Sequence, residues 1–180
     1  MKNPIRLILF TFILMLAIDV YSQDAFSQDK IKWYTIEQAE KLNSENPKKI
    51  FIDVYTDWCG WCKRMDATTY QDPAIIQLLN DDFYAVRLNA EQKSDIVFKN
   101  KSYKFVPSGR TGYNELAAVL LNGQLSYPTT VYLDENLNEI QPIPGYLPVD
   151  KLEPILKFLG KDYYKKQTWE QFLAQNYHSN

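Results

Sequence analysis

Cys59 and Cys62 are the only cysteines among the 180 residues, and two residues separate them in the segment WCGWCK. A thiolate is a nucleophile, and a second thiol nearby can attack the mixed disulfide that the first one forms with a substrate. A disulfide between the two would close a loop too short to remove much entropy from the unfolded chain. The pair therefore predicts redox chemistry rather than a structural crosslink.

The elements around the motif give the two sulfurs different roles. KIFIDVYT, residues 49–56, is rich in β-branched and aromatic residues and predicts a buried central strand. The cysteines follow this strand and open a helix that we expect to run to about Tyr70. A thiolate at a helix N-terminus is stabilised by free backbone amides and by the helix dipole. We therefore expect Cys59 to be the attacking, more exposed sulfur and Cys62 to be the resolving one.

The remaining pattern alternates helices and strands and then ends in antiparallel strands, which predicts a mixed sheet with helices on both faces. Thr35 and Gln38 have capping-box spacing at the start of the first helix, and Asp72-Pro73 starts another. Helices are predicted over 35–46, 72–82, 112–123 and 148–160, strands over 83–90 and on both sides of a turn at 135–138, and a hairpin over 96–106.

The tail, residues 161–180, carries apolar side chains at helical spacing. Such a stripe favours a helix that packs onto the domain, and a helix that binds a partner is the alternative. The stripe consists of Trp169, Phe172, Leu173 and Tyr177.

Residues 1–22 have the layout of a secretory signal peptide, with Lys2 and Arg6 before an apolar run and the small Ser22 near its end. The run Leu7–Ile18 is shorter than the roughly 20 residues that a membrane-spanning helix needs. We expect cleavage near Ser22, with an uncleaved anchor as the alternative, and export to the periplasm or beyond. Residues 23–180 then form a single domain.

Composition excludes several classes of function. The formal net charge of −2 argues against nucleic acid as a partner, because a binder needs a basic surplus to neutralise phosphates. A zinc site needs about four ligands, whereas the chain has two cysteines and one histidine, His178. No histidine lies near the cysteines in sequence, which argues against a Cys-His hydrolase. We therefore expect no metal site.

Two segments resemble motifs of thioredoxin-like proteins. DVYTDWCGWCK matches the family's strand, acid and Trp-Cys-Gly-x-Cys-Lys pattern, and YPTTVYLD, residues 127–134, resembles its cis-proline loop. Gly145 falls where the family has a glycine before its last helix. The resemblance covers about residues 35–160 and implies an α/β thioredoxin fold, a mixed central sheet flanked by helices. Residues 91–111 would add an inserted hairpin that either selects a partner or extends the sheet, and the tail would add a C-terminal helix.

The resemblance assigns Asp53 to the family's buried acid. Burial disfavours a lone carboxylate, so its pKa should rise, which would let Asp53 take the proton from Cys62. Arg87 would favour the carboxylate and oppose that rise, which leaves the balance open. Lys63 and Arg87 are thus the expected pKa-tuning residues. The alternative is that Asp53 only reaches a polar partner at the edge of the strand.

The resemblance also implies a substrate-binding surface. Pro128 would follow a cis peptide bond, leaving the backbone of Tyr127 free to pair with a substrate strand. A proline that merely starts an edge strand is the alternative. Trp58, Gly60 and Trp61 complete the expected surface around the cysteines, with Trp61 in place of the proline of better-known thioredoxins.

The implied function is that of an exported thiol-disulfide oxidoreductase acting on protein disulfides through the Cys59–Cys62 pair, with reduction slightly favoured and oxidation or isomerisation as the alternatives. It implies no dissociable cofactor besides the redox-active Cys59–Cys62 disulfide. Its expected partners are protein dithiols or disulfides and an upstream thiol electron donor, for which a membrane reductant is one source. CGWCKRMDATTYQDPAIIQLLND, residues 59–81, resembles exported relatives of periplasmic disulfide reductase domains more than cytosolic thioredoxin. A non-catalytic thioredoxin-fold adaptor and a peroxide-reducing enzyme remain alternatives.

Overall fold

A computed structural model describes residues 30–177, and the predicted signal peptide and His178 lie outside them. In chain order the elements are β1 (Trp33–Tyr34), α1 (Ile36–Glu45), β2 (Lys49–Tyr55), α2 (Gly60–Ala67), α3 (Pro73–Asp82), β3 (Phe83–Asn89), β4 (Ile96–Phe98), β5 (Lys101–Tyr103), β6 (Phe105–Ser108), β7 (Thr111–Asn114), α4 (Glu115–Leu120), β8 (Thr129–Leu133), β9 (Glu139–Pro144), α5 (Val149–Gly160) and α6 (Trp169–Asn176).

The main sheet has five strands in the order β1-β3-β2-β8-β9. β1, β3 and β2 run parallel to one another, whereas β8 is antiparallel to β2, and β9 is antiparallel to β8. The predicted mixed sheet is therefore confirmed. The two-residue β1 was not predicted, because it is too short to show a periodicity.

Side chains of β2 alternate between two hydrophobic clusters, one on each face of the sheet. Ile50, Ile52 and Val54 belong to the cluster that α1 and α4 cover. Phe51 belongs to the opposite cluster, which α2, α3 and α5 cover. Because successive strand residues point to opposite faces, Asp53 lies on the side of Phe51, under α2. Helices on both faces explain why neither face of β2 is exposed to solvent.

Helix starts follow the predicted caps. The hydroxyl of Thr35 accepts the Gln38 amide and the Gln38 side chain accepts the Thr35 amide, which completes the capping box of α1. Asp72 caps α3 ahead of Pro73. The predicted end of the cysteine helix was wrong. It ends at Ala67 instead of continuing to Tyr70, and a 3₁₀ turn follows at Thr69–Gln71.

Threonine side chains explain this early end. The Thr68 hydroxyl donates to the carbonyl of Arg64, and the buried Thr69 hydroxyl donates to the carbonyl of Leu147. These bonds offer the backbone an alternative to a regular helix. They also attach the end of α2 to the loop before α5.

The predicted hairpin in the insertion is confirmed as β4–β5, but it forms a two-stranded sheet of its own. The alternative that it extends the main sheet is therefore wrong. The hairpin packs instead along α1, where the amides of Val97 and Lys99 donate to the carboxylates of Glu37 and Glu40. The two carboxylates thus attach the hairpin to α1.

A second hairpin, β6–β7, was not predicted. The predicted helix over 112–123 is shorter than expected, because Gly112 and Asn114 belong to β7 and Asn114 caps α4. The helix ends at Leu120 rather than at Gly123, and Asn122 and Gly123 follow it with φ values of +52° and +77°. The amide of Asn114 donates to the carbonyl of Ala90 at 2.7 Å, so the inserted segment begins and ends at one point of the fold.

The tail forms a helix that packs onto the domain, as predicted. Phe172 of α6 is 1% exposed, and its ring centroid lies 5.2 Å from that of Phe158 in α5. Thr168 and Gln171 form a capping box at the start of α6. Among the helices between residues 30 and 177, none combines the length and hydrophobicity that crossing a bilayer requires.

Candidate active site

A disulfide joins Cys59 and Cys62 at the point where β2 gives way to α2. Cys59 is the N-cap residue of α2, and its sulfur accepts the backbone amide of Cys62 at 3.0 Å. In the reduced protein, that amide and the helix dipole would stabilise a thiolate on Cys59 rather than on Cys62.

Residue exposure does not separate the two cysteines of the disulfide. Cys59 is 4% exposed and Cys62 is 3% exposed, and the expectation that the Cys59 sulfur is the more exposed one stays a prediction. Its capping position turns the Cys59 sulfur inward, towards the first turn of the helix. The motif's large hydrophobic side chains are the ones that stay exposed, Trp58 at 64% and Trp61 at 58%.

Asp53 lies beneath α2, fully buried, with one cationic partner. It is 2% exposed and occupies the β2 position that pairs with Arg87 on β3. Paired residues of adjacent strands point to the same face, and the Arg87 Nε lies 3.1 Å from Oδ2 of Asp53. Asp53 is thus in the interior of the sheet rather than at its edge.

Burial has a larger effect on the pKa of Asp53 than the nearby Arg87 cation has. Burial raises the pKa of Asp53 to about 6, and the Arg87 guanidinium, which favours the carboxylate, offsets this only in part. Asp66 adds to the rise through charge repulsion. A carboxyl group with such a pKa can both take and release a proton near neutral pH.

The sequence did not identify Asp66 and Tyr70 as part of this environment. Both Nη atoms of Arg87 donate to the Asp66 carboxylate, at 2.6 and 3.2 Å. The fully buried Tyr70 hydroxyl and the Oδ1 atom of Asp53 have no hydrogen-bond partner among residues 30–177. Asp66 stands four residues after Cys62, and that spacing along a helix was the signal that could have identified it.

The Tyr127–Pro128 peptide bond is cis, as predicted. The carbonyl of Pro128 accepts the amide of Gly145 at 2.8 Å, which links this loop to the segment before α5. Gly145 has a φ of +98°, a conformation that side-chain-bearing residues rarely adopt. The two segments that carried the family resemblance beyond the cysteines are therefore in contact.

Trp58 connects the cysteine motif to the proline loop and to the insertion. Its ring meets the Tyr127 ring edge-on, with centroids 6.0 Å apart. Its indole Nε1 donates to Oε1 of Glu91, the first residue of the insertion, at 3.1 Å. Trp58 and Tyr127 are thus brought together as expected, whereas the contribution of Glu91 was not predicted.

Trp61 lies in a second aromatic group on the other flank of the motif. Its ring centroid is 5.3 Å from that of Tyr146, and the Arg64 guanidinium lies 5.8 Å from both rings. The Tyr146 hydroxyl shares a hydrogen bond with Thr68. Nothing in the local sequence marked Tyr146, because it approaches the motif only through the fold.

Two other predicted site residues are solvent-exposed. Gly60 has open space where a Cβ atom would stand, and Lys63 lies exposed on the first turn of α2. Among residues 30–177, the Lys63 ammonium takes part in no ion pair. The same part of the chain contains no group of three or more His, Cys, Asp or Glu side chains placed to hold a metal ion.

Curated relatives include proteins much longer than this chain. Human spermatogenesis-associated protein 20 is 31% identical over 118 residues, which cover 64% of this chain and 13% of that protein. The thiol:disulfide interchange protein DsbD of Haemophilus influenzae is 26% identical over 136 residues, covering 72% of this chain and 20% of that protein. The chain thus spans a fifth or less of the length of these two relatives.

Solved structures have the same fold. A thioredoxin-fold protein from Helicobacter pylori matches with a TM-score of 0.54 and 19% identity, over 85% of this chain and 87% of that one. The sequence model of the thioredoxin-like domain family matches residues 36–160. The thioredoxin fold expected from the two motifs is therefore confirmed, and the chain belongs to the thioredoxin-like family.

Proposed function

We propose that this protein is a thiol-disulfide oxidoreductase that reduces disulfides in protein substrates. The observation that carries the proposal is the disulfide at the N-terminus of α2, in which the Cys59 sulfur accepts the Cys62 amide. That arrangement favours a thiolate on Cys59 and leaves Cys62 as the resolving group. The contact between Trp58 and Tyr127 supports it, because it sets the cis-proline loop beside the motif.

In the first step, the Cys59 thiolate attacks one sulfur of a substrate disulfide. A bond between Cys59 and that sulfur forms, the substrate disulfide breaks, and the other substrate sulfur leaves as a thiolate that takes a proton from solvent. The Cys62 amide already donates to the Cys59 sulfur at the start of α2, where it would stabilise the attacking thiolate.

In the second step, the Asp53 carboxylate takes the proton from the Cys62 thiol. The Cys62 thiolate then attacks the Cys59 sulfur, the Cys59–Cys62 disulfide forms, and the second substrate sulfur leaves and takes up a proton. Two electrons pass from the protein dithiol to the substrate. An upstream thiol donor must supply two electrons and two protons to regenerate the dithiol.

The signal-peptide layout of residues 1–22 supports export, and we propose that the protein works in the periplasm or outside the cell. There the upstream donor would be a membrane-associated thiol reductant. The exposed rings of Trp58 and Trp61 flank the disulfide and would contact an extended substrate segment, whose backbone would pair with Tyr127.

The test is a trapping experiment with the Cys62→Ser variant. We expect this variant to accumulate mixed disulfides with substrate proteins through Cys59, because the resolving thiol is absent, and thiol reagents should release them. The Cys59→Ser variant is the matched control and should trap far less. Wild-type protein should reduce a protein disulfide such as that of insulin when a dithiol is supplied as electron donor.

Two results together would overturn the proposal: no adducts with Cys62→Ser, and no reduction of protein disulfides by the wild type. They would favour a thioredoxin-fold adaptor in which the cysteine pair is idle. Oxidation of the dithiol by peroxide much faster than by protein disulfides, measured by stopped flow, would instead identify a peroxide-reducing enzyme.

A further inference from the structure

Arg87 is shared between two carboxylates that come from different elements. Its two Nη atoms form a fork on Asp66 of α2, while only its Nε faces Asp53, at 3.1 Å and without a hydrogen-bond alignment. The guanidinium also lies over the rings of Tyr55 and Trp33, at 4.3 and 5.1 Å. Its position is therefore fixed on three sides, and its strongest contacts go to Asp66.

The helix explains why Asp66 reaches this position. Cys62 and Asp66 are four residues apart on α2, and residues with that spacing lie on one face of a helix. That face covers Asp53 and Arg87 on the sheet. The resolving cysteine and the Asp66 carboxylate therefore move as parts of one rigid turn.

The sharing has a consequence for the protonation of Asp53. If Arg87 had Asp53 as its only partner, protonating Asp53 would leave a largely buried cation unpaired, which is costly. With Asp66 in place, Arg87 keeps a charged partner whether Asp53 is neutral or ionised. When Asp53 is ionised, Asp53, Asp66 and Arg87 together carry a net charge of −1. No excess of positive charge therefore opposes the binding of a proton to Asp53.

The other titratable groups around Asp53 do not change charge near neutral pH. Tyr70 of the 3₁₀ turn and Tyr132 of β8 are fully buried, and burial raises the pKa of both hydroxyls above its ordinary value. Burial also raises the pKa of Tyr55. Arg87 and Asp66 are thus the charged groups that set the ionisation of Asp53.

Asp66 and Arg87 also connect this interior to solvent. Together with Trp33, Tyr70 and Gln71 they line an open cleft of about 260 Å³. The Asp66 side chain is 38% exposed, whereas that of Asp53 is 2% exposed. A substitution at Asp66 therefore changes a solvent-accessible group and leaves the packed core in place.

We propose that Asp66 is a positioning residue for thiol-disulfide exchange: by holding the Arg87 fork, it keeps Arg87 from pairing with Asp53 alone, so that Asp53 binds the proton taken from Cys62 more tightly. The inference rests on the proposed function and adds a residue to its second step. Asp66 touches neither the substrate nor the reacting sulfurs and acts through Arg87 and Asp53.

The Asp66→Asn variant tests the proposal. Its loss of charge removes the repulsion on Asp53 and frees Arg87 to pair with Asp53 alone, so the pKa of Asp53 should fall. The acid limb of the pH profile for resolving a mixed disulfide should move to lower pH. A move of about half a pH unit would make resolution about twice as fast as in the wild type at pH 5.5.

Three variants serve as controls. Asp81→Asn removes an exposed carboxylate at the far end of the sheet and should leave the profile unchanged. Asp66→Glu keeps the charge and should restore the wild-type limb. Asp53→Asn should remove the limb altogether, which shows that the limb belongs to Asp53. Thermal unfolding of each variant shows whether it is folded.

A second readout does not depend on activity. In a carboxyl ¹³C NMR titration, assigned with Asp53→Asn, Asp66→Asn should titrate Asp53 at lower pH than the wild type does. An unchanged or higher pKa of Asp53 in folded Asp66→Asn would overturn the role of Asp66. A wild type without exchange activity would instead refute the proposed function, and the titration would still decide whether Asp66 controls Asp53.

Discussion

Asp53 and Arg87 occupy paired positions on neighbouring parallel strands, and their side chains meet on the face of the sheet that α2 covers. Despite this partner, burial keeps the pKa of Asp53 raised, at about 6. The protein therefore maintains a buried carboxylate whose charge is only partly compensated, and both its stability and its activity should depend on that charge.

We expect Asp53→Asn to stabilise the protein at neutral pH. A carboxyl whose pKa is raised from 3.8 to about 6 favours folding below the unfolded value, and that contribution is lost as the pH rises through about 6. At pH 7 the ionised Asp53 thus lowers the free energy of unfolding by up to about 3 kcal/mol, a cost that the uncharged amide of the variant does not have. Urea unfolding of wild type and variant between pH 4 and pH 7.5 measures the difference.

The gain from Asp53→Asn should grow with pH across that interval, while the resolving step slows. An equal gain at pH 4 and pH 7.5 would contradict the raised pKa. Thr130→Val is a useful reference, because it alters a buried polar neighbour on β8 that does not titrate.

Phe172→Ala should destabilise the protein without loss of exchange activity. The Phe172 ring packs against aromatic rings of α5, of α6 itself and of a second 3₁₀ turn, Tyr163–Lys165, that precedes α6. Removing such a buried ring costs about 3 kcal/mol or more. Urea unfolding reports the loss, and Gln175→Ala, on the exposed side of α6, is the matched control. A marked fall in activity at a temperature where the variant is folded would indicate that the tail also serves the site.

Glu91→Ala should weaken substrate recognition more than chemistry. It removes the acceptor that holds the Trp58 indole beside Tyr127, a bond worth about 0.5 to 1.5 kcal/mol. We expect kcat/KM for a protein disulfide to fall by roughly twofold to tenfold, with little change for a small disulfide. Glu45→Ala, an exposed carboxylate at the end of α1, is the control. Equal losses for both substrates would mean that Glu91 acts on the cysteines.

Lys49→Met should lower the free energy of unfolding by about 1 to 3 kcal/mol. The buried Lys49 ammonium pairs with Glu135 in the β8–β9 turn and with Asp162 after α5, at 2.5 and 2.9 Å. Both carboxylates are about a third exposed, so water takes over part of their solvation in the variant. Exposed Lys41→Met is the control. No loss of stability would show that the apolar stem of Lys49, which methionine retains, supplies its contribution.

Local features of the fold could be predicted from the sequence, and contacts between distant segments could not. The caps at Thr35 and Asp72 depend on residues within one helical turn, so a short pattern determines them. The length of α2 was predicted wrongly, because it depends on Thr69 bonding to Leu147, far along the chain. The same difference explains why two short hairpins appear where one was expected.

The candidate site shows the same division. The order of the cysteines along α2 followed from the motif, and Asp53 was placed by its position in the strand before it. Glu91 and Tyr146 join the site only through tertiary contacts with Trp58 and Trp61. The sequence also could not decide between burial and Arg87 at Asp53, because that balance depends mainly on how completely the fold buries Asp53.

The backbone bond between Ala90 and Asn114 has a consequence for how this fold can vary. It brings the two ends of the segment 91–113 together, so the segment starts and ends at nearly the same place beside the five-stranded sheet. Lengthening a loop whose ends already meet adds little closure entropy. Residues can therefore be added to or removed from the tips of its two hairpins while the strand order of the sheet stays the same. This makes the segment a natural place to graft a new recognition sequence beside Trp58.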